Sequence, residues 1–182
     1  MKTMQPADIE MLRSAQQLDA VTLARIYEEY SPAVYRYAYH LLGSLQTSED
    51  CVSDTFLGFL SKLEAGKGPR ENIKAYLFRS AHNWIVDFYR NKGNQNISLN
   101  EDFLDSNSSV ELEAEKRIRL GETIKALTRL TLEQKEVILL RFSEGLDIRE
   151  ISRIVHKSPG AMKALLHRAI NTLQKELKYE EK

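Results

Sequence analysis

The 182-residue chain carries 26 basic and 26 acidic side chains, 42% hydrophobic residues and a single cysteine, a globular composition suited to one domain or two small ones. Cys51 alone excludes a disulfide framework and any two-thiolate site, and His40, His82, His156 and His167 show no metal-binding spacing. No apolar run approaches the roughly 18 residues of a membrane span, and no basic segment leads into an apolar one near the start, so neither membrane insertion nor a signal peptide is expected.

The neutral total averages unlike parts. Residues 1–95 balance, 96–124 hold three basic against seven acidic side chains, and 125–182 hold twelve against eight. The basic excess lies mostly in Arg149, Arg153, Lys157, Lys163, Arg168, Lys175 and Lys178, opposed within that stretch only by Glu150 and Glu176. A basic C-terminal unit therefore follows an acidic connector, although scattered charge also suits solvated helix faces.

Four prolines and eight glycines point to long helices rather than a turn-rich sheet. Leu23, Ile26, Tyr27, Tyr30, Val34, Tyr37, Ala38, Leu41 and Leu42 recur at helical spacing, as one helix or a bent pair with Pro32 in a first turn after Ser31. Gly43 stops that segment. Thr47 or Ser48 is expected to cap the next helix, which buries Val52, Thr55, Phe56, Phe59 and Leu63 and leaves Asp50, Ser53, Asp54 and Ser61 outward. Gly66-Lys67-Gly68-Pro69 reads as a loop. A third helix covers about Asn72 to Asn91, with Ile73, Tyr76, Leu77, Ala81, Trp84, Ile85 and Phe88 inward.

Periodicity collapses from Gly93 to Ser109, a polar linker, and a helix over about Val110 to Leu130 opens the second domain. Thr131 with Gln134 forms a capping box ahead of Val137, Ile138 and Leu140 to Phe142, and Gly145 ends that helix. Asp147 with Glu150 repeats the spacing before Ile148, Ile151 and Ile154. After a turn at His156-Lys157, Ser158 caps and Pro159 opens a last helix that buries Met162, Leu165, Leu166, Ile170 and Leu173. A short helix, a tight turn and a longer basic helix make a helix-turn-helix, whose second helix fits a major groove; two packed helices of an ordinary bundle give the same pattern.

The expected fold is all-α: two helical domains, 1–92 and 110–182, joined by a flexible linker over 93–109, the C-terminal domain holding the helix-turn-helix. No catalytic constellation is present. Asp50 and Asp54 share a helix face, but no histidine, nucleophile or glycine-rich loop stands near them in sequence, which favours a solvated or partner-binding face. No enzymatic activity and no cofactor are expected.

Several separated segments resemble the extracytoplasmic-function group of bacterial sigma factors, the sigma-70 family members with only regions 2 and 4. The resemblance covers about 20–92 and 122–177. It rests on Leu23-x-x-Ile26-Tyr27-x-x-Tyr30 with Val34-Tyr35-Arg36-Tyr37, on Ser48 to Leu57, on Ala75 to Arg90, on Leu130 to Phe142, and on Ile148 to Val155 with Ser158 to Leu173. It implies a bacterial cytoplasmic transcription initiation factor that binds core RNA polymerase and promoter DNA, with an anti-sigma factor as a further family partner. Glu49, Asp50, Ser53, Asp54, Phe56 and Leu57 would then grip the polymerase, although Gln is common in the family where Ser53 stands.

By the same resemblance, Lys67 in the 64–71 loop, Arg79, His82, Asn83, Asp87, Arg90 and Lys92 would open and hold the minus-ten element. The family's arginine cluster is reduced here to Arg90 and Lys92. Lys157, Ser158, Pro159, Gly160, Lys163, His167 and Arg168 would read the minus-35 duplex, with His156-Lys157 where the family usually has glycine and an aliphatic residue. Chemically, single-stranded DNA needs backbone charge plus ring surfaces for bases. Trp84, Phe88 and Tyr89 are candidates for those surfaces, but the inward spacing of Trp84 and Phe88 favours core packing. At the start of the last helix, Ser158 and the free amides suit phosphate. Lys163 reads either as a base contact or as an ordinary solvated lysine. For His167, base contact and local hydrogen bonding stand even. The rival reading is a helix-turn-helix regulator acting at an operator without a sigma role, which leaves the segment 48–90 unused.

Overall fold

The computed structural model describes residues 6–92, 127 and 129–180, with side chains described for 8–91, 127 and 129–176. Every regular element among these residues is helical. The chain divides into two compact units, each described by itself below.

In the first unit, α1 (Pro6–Gln16) ends in a turn where Leu18 adopts a left-handed φ of 59°. Asp19 caps α2 (Ala20–Leu42) by accepting from the Thr22 amide at 2.8 Å. That bonding holds the Asp19 carboxyl below its ordinary pKa. Helix α2 runs unbroken through Pro32, so Pro32 does not start a second helix. The ring removes one intrahelical bond, yet it faces solvent while Ile26, Val34, Tyr37, Ala38, Leu41 and Leu42 are buried on both sides of it. Packing on both sides of the proline keeps a single axis. Gly43, at φ 67°, then donates to the Tyr39 carbonyl at 2.9 Å, as a left-handed C-cap requires.

Ser44, rather than Thr47 or Ser48, caps α3 (Leu45–Glu64) through its Oγ and the Thr47 amide, 3.3 Å apart. Ser48 lies within the helix and its hydroxyl donates back to the Ser44 carbonyl at 2.6 Å. The first oxygen-bearing side chain after the Gly43 turn nucleates the helix, which is why the later candidates are not used. Cys51, Val52, Thr55, Phe56, Phe59 and Leu63 form the buried stripe, and burial pushes the Cys51 thiol up to about 12. The following loop is close-fitting: a Cβ on Gly68 would stand 2.5 Å from Leu63 Cδ2. Gln16 Nε2 pins the loop by donating to the Pro69 carbonyl at 3.2 Å.

Asn72 Oδ1 accepts from the Ala75 amide at 2.9 Å and starts α4 (Ile73–Lys92). Helices α2, α3 and α4 pack on one another, with α1 against α2 and α3. Aromatic rings dominate the core between them. Tyr37 meets Phe78 edge-on at 5.4 Å, and Phe59 meets Tyr76 at 5.8 Å. Such pairs add to an already large apolar burial per residue.

In the second unit, Thr131 and Gln134 form the expected capping box at α5 (Leu132–Ile138). The helix widens into a π-turn at Leu139–Ser143, where the Glu144 amide reaches the Leu139 carbonyl at 3.1 Å. This widening breaks the 3.6-residue register. Phe142, expected among the apolar positions of this helix, is consequently 64% exposed. Gly145 at φ 67° ends the segment.

Asp147 and Glu150 exchange bonds at 2.8 and 2.9 Å, a second capping box ahead of α6 (Ile148–Ile154). His156 occupies the turn with φ 54°, and Ser158 Oγ accepts from the Ala161 amide at 3.2 Å to open α7 (Pro159–Glu180). Helix α7 packs on α5. The core is aliphatic, with Val137, Leu140, Ile151, Met162 and Ala169 almost wholly buried. Leu166, Ile170 and Leu173 are half-buried. Lys135 is covered too, and desolvation lowers its pKa.

The linker over 93–109 and most of the helix expected over 110–130 lie outside the described residues. Among the described residues, no helix is long and apolar enough to cross a membrane.

Candidate functional site

Three helix faces carry the candidate residues. On α3, Glu49, Asp50, Ser53, Asp54 and Leu57 are exposed, Leu57 at 62%. Phe56 departs from that set: it is 7% exposed and lies edge-on to Tyr27 at 4.9 Å. A buried ring holds the face up from behind and does not form part of it. The two aspartates serve different partners. Asp50 accepts from Gln46 Nε2 within its own helix at 3.2 Å, and Asp54 accepts from Trp84 Nε1 on α4 at 2.8 Å. They are not a proton-sharing pair.

An open cleft of about 600 Å³ runs beside this face, lined by residues of α2 (Tyr27, Ser31, Tyr35 and Arg36 among them) and by Glu49, Val52 and Ser53 of α3. Burial and the nearby Glu49 raise the Tyr35 phenol. The pattern of apolar positions did not reveal this cleft, because Tyr27 and Tyr35 count as ordinary helix-stripe residues until α3 is placed beside them.

On α4, Arg79, Asn83, Asp87 and Arg90 recur every three or four residues and form one exposed line. Arg90 pairs with Asp87 at 3.0 Å, both side chains remaining mostly in solvent, so the pair is weak and open to exchange. Lys67 is exposed in the loop before α4. His82 is only 9% exposed and does not share the open line: one residue before Asn83 and five before Asp87, it falls on a different flank of the helix. The Lys92 side chain lies outside the described residues.

Trp84 and Phe88 of α4 are not the plain core residues that their spacing implied. Trp84 and Phe88 are half-buried, with rings stacked 5.4 Å apart at 11°. Tyr89 is half-buried as well; its hydroxyl donates to the Leu41 carbonyl on α2, and burial raises its pKa. The Trp84 and Phe88 pair keeps part of its surface in solvent, and its indole N–H meets the Asp54 carboxylate of α3.

On α7 and the turn before it, Lys157, Ser158, Pro159, Gly160, Lys163, His167 and Arg168 are all exposed. Lys157 is paired with Glu133 Oε1 at 2.5 Å. His167 Nε2 lies 3.0 Å from Asn171 Nδ2, which realises the local hydrogen bond. Lys163, in the second turn of α7, and Arg168, more than one turn further on, are exposed along the helix that begins at the free amides, where positive potential gathers.

An acidic helix face, a polar helix with a half-buried aromatic pair, and a helix-turn-helix with basic side chains are surfaces of the chemical kinds that suit protein and nucleic-acid partners. Comparison with known proteins agrees. Residues 26–95 match the family model described as Sigma-70 region 2, and residues 120–173 match the one described as Sigma-70, region 4. The chain is 32% identical to the ECF RNA polymerase sigma factor BldN of Streptomyces coelicolor, over 91% of this chain and 64% of that protein, so it spans less than two thirds of that relative. It is 22% identical to the ECF RNA polymerase sigma factor SigW of Bacillus subtilis, over 92% of this chain and 95% of that one.

Among solved structures, the sigma factor RpoE in complex with the anti-sigma factor NepR from Bartonella quintana shares the fold with a TM-score of 0.70, 24% identity, and coverage of 85% of this chain and 96% of that chain. CnrH, solved in complex with the cytosolic domain of CnrY, shares it with a TM-score of 0.68, 21% identity, and coverage of 95% and 98%. The chain belongs to the sigma-70 family. It is a sigma factor of the extracytoplasmic-function group with regions 2 and 4.

Proposed function

We propose that the chain binds core RNA polymerase and directs it to promoters with minus-ten and minus-35 elements, and that its surfaces divide this work. Residues 1–92 act as the region 2 domain, 93–109 as the linker and 110–182 as the region 4 domain. Glu49, Asp50, Ser53 and Leu57 meet the polymerase, with Phe56 bracing them from the core. Arg79, Asn83, Asp87 and Arg90, with Lys67 and Lys92, hold the minus-ten strand, and Trp84 with Phe88 offers ring surface to an unstacked base. Ser158, Pro159 and Gly160 present amides to phosphate, Lys157 and Arg168 add charge, and Lys163 and His167 face the base edges of the minus-35 duplex. An anti-sigma factor is the further partner that the family implies.

The observation that carries this reading is the pairing, within one helical unit, of the acidic outward face of α3 with the polar, half-aromatic face of α4. A regulator acting at an operator through its helix-turn-helix alone has no use for either face.

Run-off transcription with purified core polymerase on randomised templates tests the proposal: initiation that requires this protein and follows a shared two-element motif supports it. Sequence-specific duplex binding without any polymerase binding would favour the operator-binding regulator. The joint replacement Glu49→Lys and Asp50→Lys should weaken polymerase binding at least about tenfold and leave minus-35 duplex binding unchanged. Equal loss of both activities would overturn the division of labour.

A further inference from the structure

Trp84 is the single tryptophan of the chain, and it stands on the seam between α3 and α4. Its indole Nε1 donates to Asp54 Oδ2 across that seam at 2.8 Å, a bond strengthened by the carboxylate charge. Its ring stacks on Phe88 at 5.4 Å and 11°, and Phe88 in turn meets the Tyr89 ring edge-on at 5.7 Å and 79°. The Tyr89 hydroxyl then reaches the Leu41 carbonyl of α2. The row of three rings is thus pinned at both ends, to α3 by a carboxylate and to α2 by a carbonyl. At 100° per residue, Trp84 projects at the edge of the buried stripe of Leu77 and Ala81, on the side of the exposed line of Asn83 and Asp87, and Phe88 falls one turn on within that stripe. An indole at such a border has more than one staggered rotamer open to it, and the bond to its N–H together with the stack on Phe88 selects one of them.

We propose that Asp54 is a positioning residue for promoter opening. It fixes the indole plane of Trp84, and through it the Trp84 and Phe88 pair, as the surface that receives an unstacked base of the non-template strand. The same bond ties the polymerase-facing helix α3 to the DNA-facing helix α4. This rests on the proposed function and sharpens it, because it takes Asp54 out of the polymerase-gripping set. Asp50, four residues earlier, makes its bond within α3 and stays in that set.

The test uses the full chain with core polymerase and a promoter carrying 2-aminopurine in its minus-ten element, whose fluorescence reports base unstacking. Asp54→Ala is expected to shift the emission of Trp84 in the free protein and to slow unstacking about tenfold at saturating polymerase, with polymerase affinity within about twofold of wild type. Asp54→Asn keeps an acceptor oxygen for the indole and should restore most of the rate; it also decides the matter if a thermal melt shows that the alanine variant is poorly folded. Trp84→Phe should be as slow as Asp54→Ala, and the double variant no slower than either single one, because both break one unit.

Unstacking at the wild-type rate in Asp54→Ala would overturn the proposal, and so would a defect that disappears on adding more polymerase, since that outcome makes Asp54 a direct contact. Multiplying effects of Asp54→Ala and Trp84→Phe would overturn it as well. A wild-type protein that opens no promoter overturns the proposed function together with this inference; wild-type opening with an unchanged Asp54→Ala overturns this inference alone.

Discussion

The two units reach a stable helical fold by different means. The first packs helices of 23, 20 and 20 residues around rings, including Tyr37 on Phe78 and Phe59 on Tyr76. The second sets the seven-residue α5 against the long α7, with the seven-residue α6 between them in the chain, around aliphatic side chains. Helices that short do not persist on propensity, and each begins with a reciprocal capping box. Long helices rely on area buried along their length, whereas short ones depend on their first turn. The functional faces follow the same division. Recognition groups of the first unit lie along helix flanks and are held by contacts between helices, as Asp54 is by Trp84. Those of the second cluster at a capped helix start, where Ser158 and the free amides are fixed by local geometry.

The most severe way to break the contrast is to empty the aromatic core. Phe59 is 1% exposed, and Phe59→Ala should cost about 3–5 kcal/mol, read by urea unfolding followed through the emission of Trp84. A loss below about 1 kcal/mol would show that the rings do not dominate the first unit.

Removing a cap probes the other side. Asp147→Ala should cost about 1 kcal/mol and lower minus-35 duplex affinity, whereas Asn72→Ala, at the start of the 20-residue α4, should leave that helix formed by circular dichroism. The Asp147 effect depends on pH in a defined direction. Hydrogen bonds from the Glu150 and Arg149 amides hold its carboxyl below the ordinary 3.8, so the folded state prefers the ionised form. The stabilisation is complete above pH 3.8 and is lost as pH falls through the lowered folded value. The stability gap between wild type and Asp147→Ala should therefore be constant near neutrality and shrink in acid; a gap that widens in acid would contradict the cap.

The smallest expected effect concerns the helix-turn-helix turn. His156 sits at φ 54°, a conformation that costs a side-chain-bearing residue about 1–2 kcal/mol. Glycine escapes that cost but loses about 0.5–1 kcal/mol of backbone entropy. His156→Gly should thus stabilise the protein by up to about 1 kcal/mol, measured by thermal unfolding; destabilisation would mean that the imidazole contributes more than the strain removes.

Much of this architecture was written locally. Gly43, the Thr131 and Asp147 boxes, and Ser158 with Pro159 act on backbone groups no more than four residues away, so their positions in the chain suffice to place helix ends. The outward set Asp50, Ser53 and Asp54 and the inward set Val52, Thr55, Phe56, Phe59 and Leu63 follow equally from helical periodicity. Where two local signals competed, reading along the chain failed. Ser44, not Thr47 or Ser48, caps α3; Pro32 sits inside a continuous helix; and the π-turn moves Phe142 into solvent.

What the sequence by itself determined is therefore the all-α fold, the family with its two regions, the helix starts that rest on capping boxes, and the exposed faces of α3, α4 and α7. Each of these depends on interactions within one or two turns of helix or on residue patterns repeated along the chain. Only the tertiary structure decided that Asp54 holds Trp84, that Phe56 lies beneath Tyr27, that Trp84 and Phe88 are a half-open stacked pair, and that Lys157 is paired with Glu133. Three of those contacts join residues 24 to 30 positions apart, on elements whose mutual placement is set by packing, and a periodicity read along one helix carries no information about which residue of another helix lies across from it.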